Sequence, residues 1–195
     1  AVWDLATKGL TEALERKGWN YKIDEGGGAF YGPKIDLKIE DAIGRMWQCS
    51  TIQLDFNLPE RFGLDYVAAD GSKQQPIMIH RAIFGSLERF FGIMTENYAG
   101  DFPFWLAPEQ IRLLPVTDDV LPYAEQLLDQ LKTAGIRATI DQSGDRLGKI
   151  IRTGEQMKIP VLAVIGAKEA EQNAVSLRSR RDGDLGVTSV DALLN

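Results

Sequence analysis

Apolar residues recur at helical spacing from the start of the chain: Val2, Trp3, Leu5, Ala6, Leu10, Ala13 and Leu14. Gly18 stands where a left-handed C-terminal cap is expected, so the pattern predicts an amphipathic helix over 2–17. Tyr21 to Ile23 reads as a short strand, broken by Gly26-Gly27-Gly28. From Lys34 to Glu40 the alternation is strict. Ile35, Leu37 and Ile39 take one face, and Lys34, Asp36, Lys38 and Glu40 the other, which predicts a half-buried strand. Asp41 to Gly44 turns the chain, and Met46 to Leu54 returns as the second strand of an antiparallel hairpin. That strand does not sort into two faces, because Gln48, Cys49, Ser50, Thr51 and Gln53 crowd it with hydrogen-bonding groups. It reads as the wall of a polar cavity or, more blandly, as an edge strand with solvated side chains.

Asn57 to Gly63 reads as loop, Leu64 to Ala68 as a strand and Asp70-Gly71-Ser72 as a turn. An apolar strand from Pro76 to Ile83 is interrupted at its middle by His80 and Arg81, and strands buried on both faces rarely carry two such neighbours. A helix from about Ser86 to Tyr98 places Leu87, Phe90, Phe91, Met94 and Tyr98 on one stripe. Arg89 falls on the opposite side, where pattern alone makes it a solvated arginine. The proline-bearing stretch from Gly100 to Pro108 has no periodicity and marks a boundary, giving domains at 1–107 and 108–195. Beyond it strands and helices alternate: Ile111–Val116, Leu121–Thr133 closed by Gly135, Ile136–Ile140, Leu147–Met157, Val161–Ile165, Ala174–Arg178, a turn at Arg181-Asp182-Gly183 and a last helix over 189–194. That order predicts a small α/β domain after a mixed α+β one.

Composition narrows the class. The 195 residues are 44% hydrophobic and 26% charged, which is that of a folded globular chain. No apolar run reaches the roughly 18 residues that a membrane span needs. The opening at Ala1 carries no initiator Met and no basic leader, so no targeting signal is visible, and it hints at a cut from a larger protein. A single Cys excludes an internal disulfide and fits a reducing, cytoplasmic setting. With 28 acidic against 22 basic residues, any RNA partner must be met by local clusters rather than by the whole surface. Arg178, Arg180 and Arg181, with Arg146, Lys149 and Arg152, form two such clusters; a solvated charged face accounts for them equally well.

Candidate chemistry is sparse. His80 is a reasonable metal ligand, but one His and one Cys on different strands cannot build a zinc site, and a hydrogen-bonded histidine is the plainer reading. Gly85-Ser86 opens a helix whose first amides are free to meet an anion, or Ser86 simply caps it. Gly26-Gly27-Gly28 lacks the Lys and Ser/Thr of a phosphate-binding P-loop. No nucleophile–histidine relay can be assembled, so nothing indicates hydrolysis.

Three stretches change this picture: Gly28-Ala-Phe-Tyr-Gly-Pro-Lys-Ile-Asp36, Trp47-Gln-Cys-Ser-Thr-Ile-Gln-Leu-Asp-Phe56 and Ile79-His-Arg-Ala-Ile-Phe-Gly-Ser-Leu-Glu-Arg89. Together they closely resemble the threonyl-tRNA synthetases of bacterial type, a family of class II aminoacyl-tRNA synthetases. Trp105-Leu-Ala-Pro108, Gly135-Ile-Arg137 and Leu177-Arg-Ser-Arg-Arg181 continue the likeness into that family's anticodon-binding domain. The resemblance implies the later half of an antiparallel class II catalytic domain, followed by a small α/β anticodon-binding domain. It implies ATP-dependent activation of threonine to threonyl-adenylate, with Mg²⁺ assisting, and transfer to threonine-specific tRNA by a cytoplasmic homodimer.

By position, Arg89 matches the catalytic motif 3 arginine on the ATP γ-phosphate. Gln48, Thr51 and Gly85 match ATP-side positions, with the missing side chain of Gly85 letting the nucleotide approach. Tyr31, Gln53 and Ser86 match the threonine side, with Lys34 close by. His80 matches one of three zinc ligands, the zinc engaging the amino and hydroxyl groups of threonine and so rejecting valine. Glu169 and Arg178 match anticodon-contacting positions. The other two zinc ligands, motifs 1 and 2 and the editing region lie upstream of the chain in the family, so the chain alone is expected to be inactive. The alternatives are a non-catalytic tRNA-binding paralogue and another class II synthetase of prolyl or glycyl type.

Overall fold

The first helix, α1 (Val2–Lys17), carries Asp4 in its first turn and Arg16 and Lys17 in its last, charges that suit the helix dipole at each end. Gly18 ends it at φ +66°, a conformation that glycine takes without a Cβ penalty. The computed structural model describes residues 2–194. They form two compact units, one ending at Asn97 and one beginning at Tyr98.

In the first unit, β1 (Lys34–Glu40) and β2 (Met46–Asp55) form the hairpin, and after α2 (Asn57–Arg61), β3 (Tyr66–Val67) and β4 (Lys73–Gln74) the chain returns as β5 (Met78–Ala82). The sheet order is β1-β2-β5, all antiparallel, so the polar strand β2 is central rather than an edge. Helix α3 (Leu87–Tyr98) follows.

Three local readings are corrected here. Tyr21 to Ile23 forms no strand. Residues 57–61, read as loop, are helical, because the Asp55 carboxylate accepts the amide N–H groups of Asn57 (2.8 Å) and Leu58 (3.0 Å) and caps the turn. On α3 the buried residue is Ile93, with Phe90, Met94 and Tyr98 half-buried, whereas Leu87 and Phe91 of the expected stripe are 70% and 57% exposed.

The second unit holds a five-stranded sheet built from β6 (Ile111–Pro115), β7 (Ala138–Ile140), β8 (Val161–Ile165), β9 (Ala174–Ser179) and β10 (Gly183–Ser189), in the order β10-β9-β8-β6-β7. β6 runs parallel to β7 and β8, while β9 and β10 are antiparallel additions. Helices α4 (Leu121–Thr133), α5 (Leu147–Gln156), α6 (Ala167–Glu171) and α7 (Val190–Leu194) complete it. β6 is buried on both faces. Leu113 packs in one cluster with Leu127 and Leu131 of α4, and Leu114 in another with Ile150 of α5. Three elements escape the pattern reading: a 3-10 turn at Asp118–Val120, β10, which is exposed and carries two glycines, and α6, which is a little over one turn long.

Candidate functional site

Register decides which side chains of the three-stranded sheet share a face. Lys34 is opposite Gln53, Asp36 opposite Thr51, and on the other side Gln53 faces His80 and Thr51 faces Ala82. Beyond Thr51 a simple alternation would put Cys49 next on this face. Instead Leu37 pairs with Ser50 and Lys38 with Gln48, leaving Cys49 as the extra residue of a β-bulge. The bulge shifts the phase of β2 by one residue and brings Gln48 to the side of Thr51 and Gln53. Cys49 is only 2% exposed and takes no part in the pocket.

The result is an open pocket of about 340 Å³ lined by Gly27, Gly28, Ala29, Tyr31, Lys34, Gln48, Thr51, Gln53, His80 and Ala82. The polar strand thus walls a cavity. Gly32 makes the approach of the loop possible: a Cβ there would sit 2.0 Å from the Leu54 carbonyl oxygen.

Asp36 organises the polar wall. Its carboxylate accepts from Lys34 Nζ (2.5 Å), Gln48 Nε2 (2.6 Å) and Thr51 Oγ1 (2.7 Å). Tyr31 Oη donates to Gln53 Oε1 at 3.1 Å. These bonds orient the two amides oppositely. Gln48 spends its N–H on Asp36 and keeps a free carbonyl oxygen, while Gln53 has its oxygen engaged and keeps N–H donors. The pocket therefore offers both an acceptor and donors.

His80 stands on the same face with its side chain 41% exposed, and its Nε2 lies 2.8 Å from Asp55 Oδ2, itself 3% exposed. Burial works to raise the Asp55 pKa, but the amides of Leu58 and Asn57 and the imidazole outweigh it and hold the carboxyl below its ordinary value. An ionised Asp55 can only accept, so Nε2–H is the donor of this contact, and in the neutral imidazole that leaves the lone pair on Nδ1. A carboxylate behind an imidazole is the arrangement that orients metal-binding histidines. Among the described residues, however, no three His, Cys, Asp or Glu side chains gather to hold a metal. The donor set thus fits zinc as one oriented ligand and supplies no others.

The other candidates of the first unit, Gly85, Ser86 and Arg89, are not among the residues that line the pocket. Gly85 has φ +71°, and a Cβ there would meet the Cys49 carbonyl oxygen at 2.7 Å. Ser86 Oγ accepts the Arg89 amide at 3.1 Å and donates to Glu88, so it caps α3. Arg89 is exposed, as its place on the helix implied, but it is not unattached. Its guanidinium donates to the Gln48 backbone carbonyl at 3.3 Å and lies 5.6 Å from the centroid of the Trp47 ring.

In the second unit, Glu169 Oε2 accepts the Gly166 amide at 3.0 Å at the start of α6, and Arg178 Nε donates to Glu155 at 2.8 Å. No hydrogen bond or ion pair joins these two residues. Arg180 departs from the basic cluster: only 12% exposed, it binds Asp101 and the Lys158 carbonyl. Burial and the neighbouring Arg181 lower its pKa. Lys149 pairs with Asp145 at 2.9 Å, while Arg146 and Arg152 are exposed.

Sequence reasoning passed over Asp36 and Asp55. Both had a signal: Asp36 lies two residues from Lys34 on one face of a strand, and Asp55 falls just before a turn that needs a cap.

Comparison with known proteins places this geometry. Residues 5–98 match the model of the tRNA synthetase class II core domain (G, H, P, S and T), and residues 110–195 that of the anticodon binding domain. The threonine–tRNA ligase of Synechococcus sp. (strain CC9902) is 97% identical over 194 residues, covering 100% of this chain and 32% of its own length. The chain belongs to the threonyl-tRNA synthetase family. The chloroplastic/mitochondrial threonine–tRNA ligase 2 of Arabidopsis thaliana is 58% identical over 100% of the chain and 30% of its own length. The solved RNA binding domain of threonyl-tRNA synthetase from Cryptosporidium parvum superposes with a TM-score of 0.90 at 38% identity, over 98% of this chain and 49% of that one. A prolyl-tRNA synthetase from Giardia lamblia, at 16% identity and a TM-score of 0.62 over 85% of this chain and 36% of that one, shares the fold alone. The chain spans about a third of the length of the curated relatives it matches. No helix among the described residues is long and apolar enough to cross a membrane.

Proposed function

We propose that the chain supplies part of the amino-acid and ATP site of a threonine–tRNA ligase, together with its anticodon-binding unit. The observation that carries this reading is the single face on which Tyr31, Lys34, Gln48, Thr51, Gln53 and His80 converge, in a chain of this family. The reaction would join the threonine carboxylate to the α-phosphate of ATP, releasing pyrophosphate, and then pass the threonyl group to a hydroxyl of the tRNA, releasing AMP. Catalysis of this kind rests on positioning and charge neutralisation.

Tyr31 and Gln53 would bind threonine, with Ser86 near it at the start of α3. Gln48 and Thr51 would meet the nucleotide, Arg89 its phosphates with Mg²⁺, and Gly85 the turn beside it. His80, held by Asp55, would offer Nδ1 as one ligand to a zinc ion. Bound there, zinc would engage the amino and hydroxyl groups of threonine, which valine cannot match. Glu169 and Arg178 would face the anticodon, each exchanging its present partner for RNA. The working protein would be a cytoplasmic homodimer.

The test replaces the matching third of the CC9902 ligase with this chain. The chimera is expected to catalyse threonine-dependent ATP–pyrophosphate exchange, with valine at least about 100-fold poorer, and the 195-residue chain alone to give none. A folded chimera without exchange, or one equally active with valine, overturns the proposal.

A further inference from the structure

A cationic side chain that must meet an anion has to be held in place without being neutralised. Arg89 meets that condition. Among the described residues it has no carboxylate within ion-pair distance; its guanidinium is held by the Gln48 carbonyl at 3.3 Å and the Trp47 ring at 5.6 Å. A carboxylate in the place of Trp47 would fix the group equally well but cancel its charge. An aromatic face attracts the cation through its quadrupole and leaves the net charge intact.

Trp47 is itself fixed. Its indole N–H donates to Asp41 Oδ2 at 2.8 Å, and Asp41 is only 7% exposed. Asp41 also accepts from the amides of Ile43 (3.0 Å) and Arg45 (2.8 Å) and from Arg45 Nε (2.6 Å). The β1–β2 turn and the indole therefore share one buried acceptor. Arg45, whose guanidinium also lies over the ring at 5.4 Å, is paired with Asp41 and with Glu96 at 3.0 Å. Of the two arginines on the ring, one has its charge answered by carboxylates and the other does not.

We infer that Trp47, anchored through Asp41, is a positioning residue that holds the Arg89 guanidinium for an anionic phosphate while leaving its charge uncompensated. This rests on the reading of Arg89 as an ATP-binding residue. The test is a double-mutant cycle in the chimeric ligase, reading the KM for ATP and for threonine in pyrophosphate exchange, with equilibrium ATP binding where turnover is too slow. R89A should raise the KM or Kd for ATP. W47L should raise it about 3- to 30-fold, W47F less, as the ring quadrupole predicts, and the KM for threonine should stay within about twofold.

In the R89A background the effects of W47L and W47F should shrink below about twofold, because the coupled residues share one interaction. Equal effects in both backgrounds, no effect of Trp47 replacement beside an intact Arg89, or an equal rise in the KM for threonine overturns the inference. If W47L loses its cooperative melt, W47F carries the cycle. R89A leaving ATP affinity unchanged would instead remove the reading beneath the inference, and the inference with it.

Discussion

Gly85 is the position where the fold and the proposed nucleotide site make different demands, and Gly85→Ala separates them. The backbone there has φ +71°, which costs an L-residue about 1–2 kcal/mol. The new Cβ would also stand 2.7 Å from the Cys49 carbonyl oxygen, which is backbone in the bulge and cannot swing aside. Forcing such a contact apart costs about 1–3 kcal/mol more. Restricting the unfolded chain returns about 0.4–1 kcal/mol. The balance is a loss of about 1–4.6 kcal/mol from the first unit. Gly18→Ala is the control, with φ +66° and open space around its Cβ, so only the conformational cost and the unfolded-state gain apply.

Urea unfolding followed by tryptophan fluorescence reads the first unit, which holds Trp3, Trp19 and Trp47 against Trp105 in the second. Gly85→Ala is expected to lower the midpoint clearly further than Gly18→Ala. Equal midpoints would refute the steric argument and leave glycine needed there only for the ligand.

Two further outcomes follow from burial and charge. Leu131→Ala empties a side chain with 0% exposure between α4 and the sheet, and should cost the second unit about 2–5 kcal/mol by urea unfolding. Phe91→Ala, at a site 57% exposed, should stay within about 0.5 kcal/mol, and the reverse ranking would count against the packing described. For Asp41, burial raises the pKa, but the Trp47 indole and the Arg45 and Ile43 donors outweigh it and set the folded value far below the ordinary 3.8. Its stabilising effect is therefore complete above about 3.8 and lost as pH falls from there toward the folded value. The gap in urea midpoint between the parent and Asp41→Asn should be widest near neutrality and narrow below pH ~4; a gap independent of pH would be evidence against it.

Long periodic elements were legible because each states its period several times over. α1 and α4, with their closing glycines, and the β1–β2 hairpin stand where apolar spacing and turn residues put them. Some of the shortest elements were not, since β4, α6 and α2 offer too few residues for a period to show. The stripe on α3 failed for another reason: hydrophobicity marks what can be buried, not what is, and Leu87 and Phe91 remain exposed. Within the site, resemblance named His80 and Arg89, but neither pattern nor resemblance named what holds them. Asp55 and Trp47 act through contacts 25 and 42 positions away along the chain, and such pairings appear only once the strands are in register.

The bulge at Cys49 also bears on which changes this segment can absorb. A side chain that faces no ligand can be exchanged for one of similar size, so Cys49→Ala or Cys49→Ser should leave the wall of the pocket as it is. Deleting the residue should also keep Gln48 in the wall, because Gln48 would then stand two places from Thr51 in plain alternation and on the same face of the sheet. Flattening the bulge without a deletion is another matter: with Cys49 paired to Lys38, Gln48 would turn to the opposite face. What the segment from Gln48 to Thr51 must keep is its register against β1, and the side chain of its spare residue matters little.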